Sequence, residues 1–179
     1  PSTAADARGL LKAAIRDDDP VLFLEHKLLY RRAKEVLPEG DGVVPIGKAA
    51  VRRAGRDLTI VTYGAMVGLA LDGAAELAKE GIEAEVVDLR TLLPLDEETV
   101  LESVKRTSKA LILHEDARTL GIGAEVAATL AEKAYEWLDA PVVRVTAPDT
   151  PVPFAPALEA AFLPSLSTLL SAARRLAAY

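Results

Sequence analysis

The sequence predicts an α/β fold in three layers, α/β/α, built on a mostly parallel five-stranded sheet with one antiparallel strand. Two observations carry this prediction. Short apolar segments alternate with amphipathic helical segments from residue 58 onward, and several of the helical segments carry their own end signals. Strands joined by helices need crossover connections, and these pair the strands in parallel and cover both faces of the sheet.

The first segment of the chain is predicted to be a capped helix followed by a strand. Thr3 and Asp6 form a capping pattern, and apolar residues recur at helical spacing as far as Ile15. The apolar run 21–24 reads as a buried strand. Residues 34–45 are rich in proline, glycine and acids. We therefore predict three parts: the end of one domain at 1–33, a linker at 34–47 and a second domain at 48–179.

The second domain is predicted to open with a hairpin. Its strands, 48–53 and 57–63, flank Ala54-Gly55-Arg56 at hairpin spacing. Asp96 stands at an N-cap position, with acids in the helical turn after it and bases at the end of that helix. The further strands are 84–89, 110–114 and 142–146, and the helices are 66–80, 97–107, 122–136 and 165–178.

Composition excludes several classes of protein. The chain has no cysteine, so disulfides, thiolate metal sites and a cysteine nucleophile are absent. Its net charge of −6 and its few aromatic residues argue against a nucleic-acid partner. No apolar run approaches the ~20 residues that span a bilayer, so we expect no membrane association. The lack of cysteine suits a cytoplasmic location. The chain opens at Pro1 without Met, from which we expect that its front part has been removed.

Open α/β sheets bind ligands at the carboxyl ends of their strands. The most polar loop at such an end contains His114, Glu115 and Asp116, which offer a proton donor and a base, and Gly121-Ile122-Gly123 follows it. A lone Gly-x-Gly is a weak signal, and both glycines also suit close approach of a helix to the sheet. We favour a structural or interface role, and we assign no catalytic and no cofactor-binding residue to this chain. His26 is predicted to contact a neighbouring domain or subunit.

An acidic turn, Asp17 to Asp19, ends the first helix and is the one candidate metal site. Acidic side chains at the C-terminal end of a helix are repelled by the negative end of its dipole. The last carbonyl groups of the helix also lack intrahelical hydrogen-bond donors. The carbonyl oxygens of Ala14 and Ile15 and the carboxylates of Asp17 and Asp19 would give the oxygen-rich environment that hard cations prefer. A solvated turn before Pro20 is the alternative interpretation.

Several segments, in order along the chain, resemble one enzyme family. They are residues 9–31, Pro45-Ile46-Gly47-Lys48-Ala49, Val61-Thr62-Tyr63-Gly64-Ala65-Met66, Glu85-Val86-Val87-Asp88-Leu89-Arg90-Thr91, Ala140-Pro141-Val142-Val143-Arg144-Val145 and Pro148-Asp149-Thr150-Pro151. Over essentially the whole chain, the sequence is similar to the beta subunit of the thiamine-diphosphate-dependent 2-oxo acid dehydrogenases. Residues 1–33 resemble the end of the pyrimidine-binding domain of that subunit, and the second domain resembles the C-terminal domain of transketolase.

The resemblance implies a heterotetramer of two alpha and two beta chains that decarboxylates pyruvate or a branched-chain 2-oxo acid. The acyl group would pass to a lipoyl group on a dihydrolipoyl acyltransferase core. Thiamine diphosphate and magnesium would be bound outside this chain, which would serve subunit assembly and docking to that core. Some relatives bind potassium at the positions of Ala14, Ile15, Asp17 and Asp19, although asparagine is common at the last position.

Two alternatives to this function stay open. One is another transketolase-like enzyme such as a deoxyxylulose phosphate synthase, against which segment 25–31 argues. The other is a stand-alone interaction module without catalysis. Association is expected because Val152 and Phe154 lie among prolines in 149–154 and form an apolar contact strip, and because residues 1–31 carry an apolar helix and strand without their parent sheet. The resemblance adds the pairing of two beta chains. We expect a homodimer with contacts in the second domain.

Overall fold

A computed structural model describes all residues from Pro1 to Tyr179. The chain forms seven α-helices, five strands and one 3-10 turn at Tyr135–Trp137. The helices are α1 Ala4–Arg16, α2 Leu29–Arg32, α3 Met66–Lys79, α4 Glu97–Thr107, α5 Ile122–Lys133, α6 Pro156–Phe162 and α7 Leu166–Ala177. The strands are β1 Ala50–Arg53, β2 Leu58–Thr62, β3 Ala84–Asp88, β4 Ala110–Ala117 and β5 Val143–Ala147.

The five strands form one sheet in the order β1-β3-β2-β4-β5. Strand β2 pairs in parallel with β3 and β4, β4 pairs in parallel with β5, and only β1 is antiparallel, to β3. From β2 the chain goes to one side for β3 and then crosses to the other side for β4. The topological switch point, where the loops leaving the sheet diverge, therefore lies between the carboxyl ends of β2 and β4.

Helices cover both faces of the sheet, as the sequence predicts. On one face, α3 and α7 pack on a core that includes Leu58 and Ile60 of β2. On the other face, α4 and α5 pack on a core that includes Val61. Side chains of β2 therefore point alternately to the two faces of the sheet, as expected of a strand. The three-layer fold class, with one antiparallel strand in a mostly parallel sheet, is confirmed.

The predicted hairpin between the first two strands is wrong. Both edges of β2 are occupied by parallel neighbours, so β1 pairs with β3 instead. The amides of Arg56 and Asp57 donate to the Glu83 carbonyl at 2.9 and 3.0 Å, which ties the turn to the start of β3. A Cβ on Gly55 would lie 2.6 Å from that carbonyl oxygen, so only glycine fits there. Short spacing predicts a turn, but it does not decide which strand becomes the partner.

Residues before the sheet differ from prediction in one further respect. The run 21–24 is extended but pairs with no strand, and Leu22 and Leu24 are exposed, so the predicted buried strand is wrong in this structure. The short helices α2 and α6 were not predicted. The predicted helix 122–136 ends at Lys133 and continues as the 3-10 turn.

The predicted linker is in contact with α1. Arg8 donates to the Pro38 carbonyl at 2.8 Å, and Lys12 and Arg16 both pair with Asp41. These cations hold the pKa of Asp41 well below its usual range. The division into 1–33, 34–47 and 48–179 stays a prediction. None of the helices combines the length and the apolar character needed to cross a bilayer.

Candidate functional site

A buried charged cluster joins α1 to the carboxyl end of β3. This anchor cluster consists of Asp6, Arg52, Asp88 and Arg90. Arg52 Nη2 donates to Asp88 Oδ2 at 2.9 Å and also pairs with Asp6, while Arg90 Nη2 lies 2.9 Å from Asp6 Oδ1. Both carboxylates are buried, so their charges are balanced inside the protein by the two guanidinium groups.

Local structure places each member of the anchor cluster. The Thr3 hydroxyl accepts the Asp6 amide at 3.1 Å and caps α1, so Asp6 stands in the first helical turn. Asp88 ends β3, and its Oδ1 accepts the Arg90 amide at 3.1 Å. Arg90 has a φ of 59°, in the left-handed region, and this hydrogen bond holds it there. Burial, followed by the charge of Arg52, lowers the pKa of Arg90.

The switch point holds Tyr63 and His114, whose rings are stacked with centroids 6.3 Å apart. His114 is fully buried, and neither ring nitrogen has a hydrogen-bond partner. Burial lowers its pKa, which keeps the ring neutral at pH 7. Burial, with the nearby Asp116 and Glu115, raises the pKa of Tyr63 to about 12. The two rings pack against each other, and the His114 ring is enclosed by the protein without a polar partner.

The two glycines after this loop allow α5 to begin directly against His114. A Cβ on Gly123 would lie 2.5 Å from His114 Cδ2, and one on Gly121 would lie 2.9 Å from Cε1. The close approach predicted for Gly121 and Gly123 is therefore present. It accounts for these glycines without an anion-binding role.

His26 connects the segment before the sheet to the switch point. Its Nε2 lies 2.9 Å from Glu115 Oε1. A cavity of about 250 Å³ beside it is lined by residues 1–7 and 25–33, and Tyr30 donates there to Glu25 at 2.6 Å. His26 thus contacts Glu115 in β4 of its own chain.

The acidic turn keeps the features that suggest a cation site. Asp17 Oδ1 accepts the Asp19 amide at 3.0 Å, so the two residues lie together, and both are exposed. No backbone amide beyond α1 donates to the carbonyl oxygens of Ala14 and Ile15. No group of three or more His, Cys, Asp or Glu side chains in the chain could hold a metal ion. A site at the turn would therefore depend on carbonyl oxygens, and it stays a prediction.

Large apolar side chains are exposed at the carboxyl edge of the sheet. They follow three different strands and are Leu93, Leu120, Val152 and Phe154. The exposure of Val152 and Phe154 agrees with the contact strip predicted at 149–154.

Residues 47–169 match the family described as transketolase, C-terminal domain. The chain belongs to the transketolase C-terminal domain family. This agrees with the α/β sheet and its single antiparallel strand.

Three beta subunits are similar to this member of the transketolase C-terminal domain family over almost its whole length. Pyruvate dehydrogenase E1 component subunit beta of Bacillus subtilis (strain 168) is 50% identical over 175 residues, covering 98% of the chain and 54% of the relative. The 2-oxoisovalerate dehydrogenase subunit beta of the same organism is 49% identical over 180 residues, covering 100% and 55%. The acetoin:2,6-dichlorophenolindophenol oxidoreductase subunit beta of Cupriavidus necator is 51% identical over 175 residues, covering 98% and 52%.

The chain spans about half the length of the curated relatives it matches. The predicted resemblance to beta subunits of 2-oxo acid dehydrogenases is confirmed. Among solved structures, a split-gene transketolase described as an inactive beta4 tetramer aligns with a TM-score of 0.77 and 29% identity. That alignment covers 99% of this chain and 56% of the other, so it includes the segment before the family domain.

The anchor cluster was missed by reasoning from the sequence. One signal was available: Asp6 and Leu10 stand four residues apart on one face of α1, and both are buried. A carboxylate on an inward face needs a buried cation or hydrogen-bond donors as partners. Its partner could not be identified, because Arg52 lies 46 residues away and was assigned to the wrong strand pair.

Proposed function

We propose that this chain forms the C-terminal part of the beta subunit of a thiamine-diphosphate-dependent 2-oxo acid dehydrogenase, in its decarboxylase component. The observation that carries the proposal is the 50% identity with the Bacillus subtilis pyruvate dehydrogenase subunit beta over 98% of the chain. That coverage extends beyond the family domain into residues 1–46, including His26 and the acidic turn. The split-gene transketolase covers this segment too, but at 29% identity against 50%, and this difference favours a beta subunit over another transketolase-like enzyme.

The role we propose for this chain is assembly. Its partners are the alpha subunit, a second beta subunit and the dihydrolipoyl acyltransferase core. Two features support this role: the switch-point side chains are packed against each other, and the carboxyl edge of the sheet carries exposed apolar residues. The anchor cluster supports it as well, because it fixes the segment before the sheet to the sheet itself.

The residues of this chain do not fit thiamine diphosphate or magnesium. Magnesium at a phosphate cofactor is typically held by one or two carboxylates together with the phosphate oxygens. The buried carboxylates Asp6 and Asp88 are already paired with guanidinium groups. We therefore place the cofactor ligands in the rest of the enzyme and derive no step of the reaction in this chain.

A second candidate function is an oxidoreductase acting on acetoin. It is supported by the 51% identity with the Cupriavidus necator subunit. The identities with the pyruvate and 2-oxoisovalerate dehydrogenase subunits, 50% and 49%, are nearly the same. The transketolase C-terminal domain does not separate these substrates, since all three relatives share it at similar identity. Substrate identity has to be measured with the assembled enzyme.

We also propose that the acidic turn binds potassium through the carbonyl oxygens of Ala14 and Ile15 and the carboxylates of Asp17 and Asp19. A cation that binds only the folded state stabilises it. Potassium should therefore raise the thermal midpoint of the wild-type subunit relative to sodium. Asp17→Ala should remove that difference, whereas Asp18→Ala should retain it. Equal thermal midpoints of the wild-type subunit in potassium and in sodium would contradict this proposal and would indicate a solvated turn.

A second copy of the chain is expected to pack on the strip 149–154. Prolines in the strip cannot donate sheet hydrogen bonds, so its exposed Val152 and Phe154 are available for side-chain contacts. The split-gene transketolase that aligns with this chain is a tetramer of beta chains. Sedimentation at micromolar concentration should show a dimer or a larger species. A 19.0 kDa species that persists as concentration rises would contradict self-association.

The experiment that tests the proposed function is co-purification. The subunit containing this sequence would be expressed with a tagged alpha subunit, at the full length of its relatives. We expect a stable complex of both chains, with this one present in a one-to-one ratio. Failure to form a complex would contradict the proposal. The cytoplasmic location also stays a proposal, for which fractionation of the source cells is the direct measurement.

A further inference from the structure

Two guanidinium groups at the carboxyl edge of the sheet have no carboxylate partner. Arg118 Nη1 donates to the Arg144 carbonyl at 3.2 Å, and Arg144 Nη1 donates to the Arg118 carbonyl at 2.9 Å. These reciprocal bonds use one of the five N–H groups of each guanidinium and leave both charges without a counterion. Two like charges held this close repel each other, so an anion supplied from outside the chain would stabilise the arrangement.

The loop between Arg118 and α5 adds backbone donors to the two guanidinium groups. The amides of Leu120 and Gly121 donate to no acceptor in the chain, although Gly121 is buried. Buried amides are almost always hydrogen-bonded in native proteins. Helix α5 begins at the next residue, no side chain caps its first turn, and its dipole places partial positive charge there. An anion at this point would accept hydrogen bonds from donors that otherwise have no acceptor.

A buried side chain without a hydrogen-bond partner faces the same turn. His114 is fully buried, and neither of its ring nitrogens has a partner. The atom nearest to a Cβ at Gly123, in the first turn of α5, would be His114 Nε2. A neutral imidazole carries one N–H donor, which can add a hydrogen bond to an anion held at this turn. Gly121 and Gly123 allow the close approach, whereas recognition of an anion would rest on the arginines and the free amides.

The carboxylates closest to Arg118 along the chain and in space are engaged by other donors. Asp149 accepts the Thr119 amide at 2.8 Å and the Thr119 hydroxyl at 2.7 Å. The hydrogen bond from the Thr119 amide is the main reason that the pKa of Asp149 is low, and the charge of Arg118 contributes least. Asp116 accepts the Ala117 amide at 2.7 Å. These bonds hold the loop in place without neutralising the guanidinium groups, so the donors are preorganised for a ligand.

We propose that Arg118, Arg144 and the start of α5 bind the phosphate group of a small molecule. The two guanidinium charges match a phosphate dianion, and the guanidinium fork suits parallel hydrogen bonds to two phosphate oxygens. The site lies at the carboxyl ends of β4 and β5, where open α/β sheets bind ligands. All of its residues lie within 47–169, so the segment before the sheet takes no part in it. The proposal stands on this geometry and is independent of the proposed function.

Isothermal titration of inorganic phosphate into the purified chain tests the site. We expect one phosphate per chain, with a dissociation constant of about 1 mM or lower. Arg118→Met and Arg144→Met should each weaken binding about tenfold, since each removes a charge-assisted hydrogen bond. Arg175→Met is the matched control, because Arg175 is exposed and has no carboxylate partner, and it should leave the constant unchanged. Acetate, with a single charge, should bind about tenfold more weakly than phosphate.

Thermal unfolding separates loss of binding from loss of folding. Phosphate should raise the thermal midpoint of the wild type relative to chloride at equal ionic strength, because it binds only the folded state. Arg175→Met should keep that rise, and the double variant of Arg118→Met and Arg144→Met should lose it. If the double variant is also less stable in chloride, Arg118→Lys decides the question. It keeps the charge but not the guanidinium fork, so it should weaken phosphate binding while the midpoint in chloride stays at the wild-type value.

Three results would overturn the proposal. The first is a wild-type chain that binds no phosphate. The second is phosphate binding that survives Arg118→Met and Arg144→Met, since the anion would then be bound elsewhere on the chain. The third is equal affinity for acetate and phosphate, which would show a site for a carboxylate, such as an acidic side chain of another protein, instead of a phosphate site.

Discussion

Replacing Asp6 by alanine should destabilise the protein through the anchor cluster. Asp6 is 3% exposed at its side chain, and it is the only carboxylate that pairs with Arg90. Removing one member of a buried ion pair costs about 3–5 kcal/mol, because the other charge is left uncompensated. Arg52 keeps Asp88, and the Arg90 side chain retains 18% exposure. We therefore expect the lower end of that range, about 3 kcal/mol.

Urea denaturation followed by circular dichroism measures this loss, with hydrogen exchange on the α1 amides reporting whether the helix undocks. Glu76→Ala is the control, since it removes an exposed pair with Lys79 and should cost less than about 0.5 kcal/mol. Asp6→Ala combined with Arg90→Met should recover most of the stability, because neither buried charge remains unpaired. A loss below about 1 kcal/mol for Asp6→Ala, with unchanged exchange in α1, would refute this account of the cluster.

Three further predictions concern the switch point and activity. Gly123→Ala should cost about 2 kcal/mol in the free energy of unfolding, since its Cβ meets His114, whereas Gly68→Ala, with open space around its Cβ, should gain about 0.5–1 kcal/mol. Equal effects of the two substitutions in urea denaturation would contradict the close approach of α5. His114 has a lowered pKa when folded, so the unfolded chain binds more protons and stability should fall as pH drops below about 6.5, by up to about 1.4 kcal/mol per pH unit. His114→Leu should remove most of that fall, and an unchanged pH profile of the urea midpoint would argue against a buried neutral ring. The isolated chain with thiamine diphosphate and magnesium should show no turnover of any 2-oxo acid, and measurable carbon dioxide release by the pure chain would contradict the assignment of catalysis to the rest of the enzyme.

The layers and most elements of the fold could be predicted because their signals are local. The Asp96 cap is one example, since its carboxylate accepts the Thr99 amide at 3.2 Å in the structure. Burial raises the pKa of Asp96, but the bonds from Thr99 and Ala49 outweigh burial and hold it below its usual value. The apolar periods of α3 and α7 likewise appear as the core of one face.

Strand partners and buried charges could not be predicted, because both depend on residues distant in sequence. The turn at Gly55 was visible, yet its hydrogen bonds go to Glu83 and bring β1 to β3. Asp6 was identified as part of a cap, yet its side chain pairs with Arg52 and Arg90. Within the candidate cation site, Asp17 and Asp19 do lie together, but helix periodicity has no means to show whether a cation joins them.

The measurement that tests the central claim most directly is the activity of the assembled enzyme. The full-length subunit that carries this sequence would be purified with its alpha subunit and assayed with thiamine diphosphate and magnesium on pyruvate, 2-oxoisovalerate and acetoin. We expect carbon dioxide release from a 2-oxo acid, dependent on both subunits, and no turnover by either subunit alone. A stable complex inactive on both 2-oxo acids but active on acetoin would contradict the proposed reaction, and no activity on any of the three would contradict the account as a whole.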